Sequence, residues 1–229
     1  MREDVVAVLT NDPAARSAIE VVLTTPGLHA IWLHRLAHGL WRRDRKLVAR
    51  VLSHLCRFAT GVEIHPGARV GRKVFIDHGM GVVVGETATI GDGCLIFKGV
   101  VLGGTSMERK IRHPQLGKNV VVGSNACILG HIEIGDGARI GSGSVVIRDV
   151  PADATVVGIP GRVVPPRDGP RAHVEGTLDH ANLPDPVAET IRELALQNEN
   201  LRLRMARLED ALNIHAPEAV EDGPEPSPV

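Results

Sequence analysis

The chain has 229 residues, 26 Lys+Arg against 27 Asp+Glu for a net charge of -1, and 43% apolar residues. That describes a folded chain of one to two domains and excludes both a disordered Gly-rich polymer and an electrostatic nucleic-acid binder. Three Phe, two Trp and no Tyr leave no aromatic platform for stacking bases or sugars.

From the N-terminus, Met1-Arg2-Glu3-Asp4 and the short apolar run after it lack the order of a signal peptide. No apolar stretch approaches the roughly 18 residues needed to span a bilayer, so the expected location is the cytoplasm, with no membrane partner. Cys56, Cys94 and Cys127 are odd in number and lack C-x-x-C spacing. They read as buried, reduced thiols rather than a disulfide set.

Residues 1–60 form an N-terminal helical region, with helical periodicity from about Asp12 to Ala59. Ile19, Val22 and Leu23 share one stripe, and Pro26-Gly27 break it. Ile31, His34, Arg35 and His38 share another, while Trp32, Leu36, Leu40 and Trp41 predict the apolar face of a second helix. Leu47, Val51, Leu52, Leu55 and Phe58 predict a third, so two or three helices are expected to pack on something larger.

Residues 61–164 carry the signal that decides the fold. An aliphatic residue recurs every six positions, often followed by Gly: Ile64, Val70, Ile76, then Val84, Ile90, Ile96, Leu102, then Leu116, Val122, Ile128, Ile134, Ile140 and Val146. Small residues recur at the fifth place, among them Ala68, Ala88, Cys94, Ala126, Ala138 and Ser144. A period of six fits neither a helix nor a simple alternating strand. It fits a β-helix of triangular coils in which the aliphatic residues stack inward. Two defects interrupt it. The step from Ile76 to Val84 is eight, a two-residue insertion around Gly79-Met80-Gly81, and the step from Leu102 to Leu116 is fourteen, a loop from Thr105 to Gln115. Insertions in solenoids form loops and are commonly functional.

A Pro-, Asp- and Gly-rich linker follows over 165–185. Over 186–213 a coiled-coil helix is predicted, because Val187, Ile191, Leu194, Asn198, Leu201, Met205, Leu208 and Leu212 step by alternating fours and threes. Asn198 takes an a position, and Arg204 at g faces Glu209 at the next e across a parallel pair. Residues 214–229 are acidic and Pro-rich and read as a disordered tail.

The candidate polar residues in or beside the coils are Glu63, His65, Asp77, His78, Arg112, His113 and His131. Asp77-His78 precede the first defect and Arg112-His113 lie in the second. Glu63 precedes His78 by 15 residues, close to one coil of 18, which predicts a carboxylate beside an imidazole. Such a pair fixes the ring tautomer, stabilises the imidazolium and makes the histidine a general base for a hydroxyl.

The runs Gly61-Val-Glu-Ile-His-Pro-Gly-Ala68, Phe75-Ile-Asp-His-Gly-Met-Gly-Val-Val-Val-Gly-Glu-Thr87, Gly99-Val-Val-Leu-Gly-Gly-Thr105 and Arg112-His-Pro114 resemble the bacterial serine O-acetyltransferases, members of the hexapeptide-repeat acyltransferases. Asp12-Pro-Ala-Ala15, Gly27-Leu-His-Ala30 and the Arg35–Trp41 helix share the resemblance, which covers roughly residues 11–165. It implies an α+β chain in which N-terminal helices precede a left-handed parallel β-helix. It also implies transfer of acetyl from acetyl-CoA to the L-serine hydroxyl, giving O-acetylserine and CoA for cysteine synthesis. No permanently bound cofactor is expected, with acetyl-CoA as co-substrate.

By the same resemblance His78 is the general base. Glu63 stands where the family usually has Asp, one methylene longer. Asp12 and Asp77 hold the serine ammonium, and Arg112 and His113 hold its carboxylate. Gly103, Gly104, Ser124 and Arg139 line the coenzyme A groove between neighbouring β-helices, where Arg139 suits a phosphate. The family's active site lies between subunits of a trimer, and the short helical region here favours a trimer over a hexamer. Ser106 replaces the Gly that usually follows Gly-Gly-Thr. In several members a terminal Ile docks into the next enzyme, an O-acetylserine sulfhydrylase; Val229 stands there in this chain, which weakens that expectation.

Three other readings compete. A γ-type carbonic anhydrase uses the same repeat but needs three zinc-binding His, and Lys118 stands where a second close His is required. Acetyltransferases for sugars or antibiotics share the fold and one histidine. A non-catalytic coiled-coil scaffold leaves Asp77-His78 and Arg112-His113 at the two defects without a purpose.

Overall fold

In a computed structural model, which describes residues 1–164 and 186–211, the hexads wind into a parallel β-helix of triangular section. Face A comprises β1 (Glu63–Ile64), β4 (Val83–Val84), β7 (Val101–Gly103), β10 (Cys127–Leu129) and β13 (Val145–Val146). Face B comprises β2 (Arg69–Val70), β5 (Thr89–Ile90), β8 (Gln115–Leu116) and β11 (Glu133–Ile134), extended by a bridge from Ile134 to Val150. Face C comprises β3 (Phe75–Ile76), β6 (Leu95–Ile96), β9 (Val121–Val122), β12 (Arg139–Ile140) and β14 (Thr155–Val157). All these pairs are parallel. The stack then ends in an antiparallel return strand, β15 (Arg162–Val164), on β14.

The second residue of each parallel strand points inward. Ile64, Val84, Leu102, Ile128 and Val146 are all buried, each over its equivalent in the next coil. The small residues at the fifth place are buried at the corners, Ala68, Ala126 and Ala138 completely. Of the three thiols, Cys56 and Cys94 are buried, and Cys127 is half-buried on the outer surface of face A.

Four helices precede the coils: α1 (Arg2–Asn11), α2 (Ala18–Thr24), α3 (Pro26–Arg42) and α4 (Lys46–Thr60). The periodicity missed α1, whose anchor is polar rather than apolar. Asp4 is buried, takes both Arg35 nitrogens (2.5 and 2.8 Å) and accepts from Trp32 Nε1 at 3.2 Å. Val8, Val21 and Leu28 then cover Phe75, Leu95 and Phe97, so helices sheathe part of face C. Gly27 permits this, because a Cβ there would lie 2.1 Å from the Ile76 carbonyl oxygen.

Two predicted faces are corrected. On α3 the buried stripe is Leu28, Ile31, His34 and Ala37, while Leu36 is exposed. On α4 the apolar run faces solvent: Leu47, Val51 and Leu55 are exposed and Phe58 is 90% exposed, while Ala49, Cys56 and Thr60 pack inward. Periodicity finds the stripe of a helix, but only packing decides which side is covered.

Residues 1–185 form one compact unit and 186–229 a second. The second contains a helix, α5 (Pro186–Ala211). Ile191, Leu194, Leu201, Met205 and Leu208 are all exposed along it. The linker at 165–185, Leu212, the acidic tail and Val229 lie outside the described residues. No described helix is long and apolar enough to cross a membrane.

Candidate active site

The chemistry-bearing residues fall on the two long edges that bound face A. Asp77 and His78 occupy the C-to-A corner between β3 and β4. Arg112 and His113 occupy the A-to-B corner before β8. One copy of the chain therefore does not bring the two pairs together.

At the C-to-A edge the two-residue insertion makes a tight turn. Gly79 N–H donates to the Asp77 carbonyl (2.6 Å) and Met80 N–H to that of His78 (3.0 Å). His78 sits at φ 57, a left-handed conformation uncommon for a side chain of its size. Its ring is 74% exposed, and Nε2 lies 3.7 Å from Asp77 Oδ1. The predicted partner is elsewhere. Glu63 pairs with Arg57 at 3.0 Å, and among the described residues no ion pair links it to His78. Glu63 stands in register with Val83, 20 residues on, whereas His78 lies in the turn before that strand. Asp12 caps the end of α1 and accepts from the Ala14 N–H at 2.8 Å.

The A-to-B edge is denser. Arg112 Nη2 donates to Glu86 Oε2 at 2.9 Å. His113 is buried, and its Nδ1 meets the Thr87 amide (3.2 Å) and the Thr87 hydroxyl (2.8 Å). A Cβ on Gly85 would lie 2.0 Å from His113 Cδ2, so only glycine leaves room for the ring. One coil lower, His65 Nδ1 accepts from the Gly67 N–H at 2.9 Å, and Trp41 meets the ring edge-on at 5.0 Å. Burial, reinforced by Arg50, pushes the His65 pKa down to about 4. Burial, reinforced by His38, does the same to His34, beneath the same corner. His113 is shifted in the same direction by burial first and Arg112 second. His131, further along this edge, is exposed.

Among the expected coenzyme A residues, Gly103 ends β7 and Gly104 follows at the A-to-B corner, whereas Ser124 lies at the C-to-A corner and Arg139 on face C. These too lie on separate sides of one coil. Sequence reading assigned no role to Gly85, Glu86 or Thr87. The signal was present: Thr87 and His113 are 26 residues apart, one 18-residue coil plus the eight inserted residues, so they stack. Among the described residues no group of three or more His, Cys, Asp or Glu is placed to hold a metal ion.

Residues 113–148 match the sequence model of the bacterial transferase hexapeptide (six repeats) family. Serine acetyltransferase of Bacillus licheniformis is 52% identical over 209 residues, covering 91% of this chain and 95% of the relative. The chain belongs to the serine acetyltransferase family. The Staphylococcus aureus enzyme of that name is 52% identical over 202 residues, covering 88% of this chain and 93% of its own. Among solved structures, Vibrio cholerae serine acetyltransferase superposes with a TM-score of 0.69 at 44% identity, covering 70% of this chain and 62% of that one. The Neisseria gonorrhoeae enzyme in complex with serine has a TM-score of 0.69 at 44% identity, covering 72% and 67%. With these likenesses the β-helix takes the left hand expected from the motifs.

Proposed function

We infer that this protein transfers acetyl from acetyl-CoA to the hydroxyl of L-serine, giving O-acetylserine and CoA, the first step of cysteine synthesis from serine. The observation that carries the site assignment is the pairing of chemistry with the edges of face A. Beyond Glu63 on the first coil, the outward residues of that face, Val83, Val101, Cys127 and Val145, are apolar and half-buried. Face C carries helices, and face B presents Arg69, Thr89, Gln115 and Glu133. Three copies around an axis parallel to the coils, each with face A inward, cover the apolar face. They also set the C-to-A edge of one copy against the A-to-B edge of the next.

In that cleft Arg112 and the neutral His113 hold the serine carboxylate, and Asp77 and Asp12 its ammonium. His78 takes the hydroxyl proton as the serine oxygen attacks the thioester carbonyl. The tetrahedral intermediate collapses, the C–S bond breaks, and the proton on His78 passes to the departing thiolate. Glu63, once freed from Arg57, is the carboxylate that orients the imidazole. Gly103, Gly104, Ser124 and Arg139 line the coenzyme A groove, where glycine lets the pantetheine chain approach the backbone. The heptad seam on α5 is a second contact between copies, with Arg204 and Glu209 attracting across a parallel pair.

Incubating the purified chain with acetyl-CoA and a panel of amino acids and sugars, and following free thiol, tests the reaction. Release with L-serine far above every other acceptor is expected; equal release with a sugar overturns the substrate. Light scattering of the full chain and of residues 1–165 tests the assembly, with trimers expected for both. A truncated protein that is monomeric and fully active overturns the intersubunit site, and a mass halved by truncation shows α5 joining two trimers.

A further inference from the structure

His113 and Arg112 are both held by the two residues stacked beneath them, and the polarity of each contact is determined. The Thr87 backbone N–H reaches His113 Nδ1 at 3.2 Å, and a backbone amide only donates, so Nδ1 accepts. The Thr87 hydroxyl accepts from the Arg112 backbone N–H at 3.0 Å, which leaves its own proton for Nδ1, 2.8 Å away. A neutral imidazole that accepts at Nδ1 carries its proton on Nε2. That nitrogen lies between Gly85 and Gly104, whose added Cβ atoms would approach it to 2.1 and 3.1 Å. Among the described residues Nε2 has no hydrogen-bond partner. Among the described residues the one buried side-chain polar atom without a partner is His34 Nδ1, so His113 Nε2 keeps an opening to solvent. Beside it Glu86 fixes one end of the Arg112 guanidinium at 2.9 Å and leaves its other donors available.

We propose that Thr87 is a positioning residue for the substrate carboxylate: it locks His113 as the neutral Nε2–H tautomer beside the Arg112 guanidinium that Glu86 orients. The carboxylate then meets one cation and one uncharged, fixed donor. Protonating His113 would put a hydrogen on Nδ1 facing the Thr87 amide hydrogen, with only the second lone pair of the Thr87 hydroxyl left to accept it. Charge on the ring is thus disfavoured by the same contacts that aim it. A neutral donor gives direction without a second positive charge beside the ammonium that Asp77 and Asp12 hold. The lock rests on assigning Arg112 and His113 to the serine carboxylate.

The test uses the full chain with 15N-labelled histidine. Long-range proton–nitrogen spectra of the substrate-free protein at neutral pH are expected to show His113 with unprotonated Nδ1 and protonated Nε2. Thr87→Val removes the hydroxyl and leaves the amide. It is expected to move His113 toward a mixture of tautomers and raise the serine KM about fivefold, the worth of one neutral hydrogen bond. The acetyl-CoA KM and kcat at saturating serine stay within about twofold, and Thr87→Ser restores both the spectrum and the serine KM. A His113 carrying its proton on Nδ1 in the parent protein overturns the lock without any assay, even where Thr87→Val does not fold. Equal rises in both KM values, or no rescue by Ser, mean that Thr87 only supports the fold and overturn it too. A locked ring with serine KM unchanged in both Thr87→Val and Arg112→Ala overturns instead the carboxylate assignment beneath it.

Discussion

The two edges of face A hold their histidines in opposite ways. His78 projects from a left-handed turn, mostly in solvent, with one long contact to Asp77. His113 is buried between two glycines, with its Nδ1 on Thr87. A proton carrier must accept and release a proton in each turnover, which suits an unburied ring. A binding donor must stay in one protonation state and one orientation, which suits burial and fixed partners. The left-handed φ at His78 fits this reading, because such backbone conformations cluster where function requires a particular aim.

The largest effect should come from the exposed edge. His78→Ala is expected to lower kcat by about 10²–10⁴, the usual worth of a general base, with thermal stability almost unchanged because the ring is exposed. Thiol release and a melting curve on the same preparation check both halves. Activity within a few-fold of the parent would remove the distinction between the edges.

The buried edge should instead govern acid stability. A histidine with a folded pKa below the unfolded value of about 6.5 binds fewer protons folded than unfolded, so its stabilisation is full above pH 6.5 and is lost toward pH 4. For His34, held near 4 by burial, this amounts to about 3 kcal/mol. Denaturant unfolding at pH 7 and pH 4.5 should show a smaller loss for His34→Gln than for the parent. A parent-like slope in His34→Gln would contradict the burial argument.

Arg112→Ala should raise the serine KM about 10- to 100-fold, the loss of a charge-assisted hydrogen bond, and leave the acetyl-CoA KM nearly unchanged. Equal effects on both would move the loop from the amino acid to coenzyme A. The smallest effect is expected from Glu63→Gln, a reduction in kcat milder than that of His78→Ala. Gln still orients an imidazole but does not stabilise its protonated form. A loss as large as that of His78→Ala would make Glu63 an equal member of the dyad despite its contact with Arg57.

The sequence by itself determined the β-helix, because a stacked coil leaves a strictly local trace: one inward aliphatic residue every six, with small residues at the corners. It also singled out both candidate pairs, since each sits at a break in that period. The heptad spacing set the span of α5 in the same local way. The motifs singled out His78 but not its contacts, because Glu63 lies in register with Val83 and pairs with Arg57 from α4. Which stripe of α4 is covered, and the anchoring of α1 through Asp4 and Arg35, depended on residues far apart in the chain. So did the Thr87 contact to His113, which becomes visible only when the inserted loop is counted into the coil. Local periodicity fixes which residues point inward, whereas burial and partnership arise from the meeting of distant segments, and only the tertiary structure decided those.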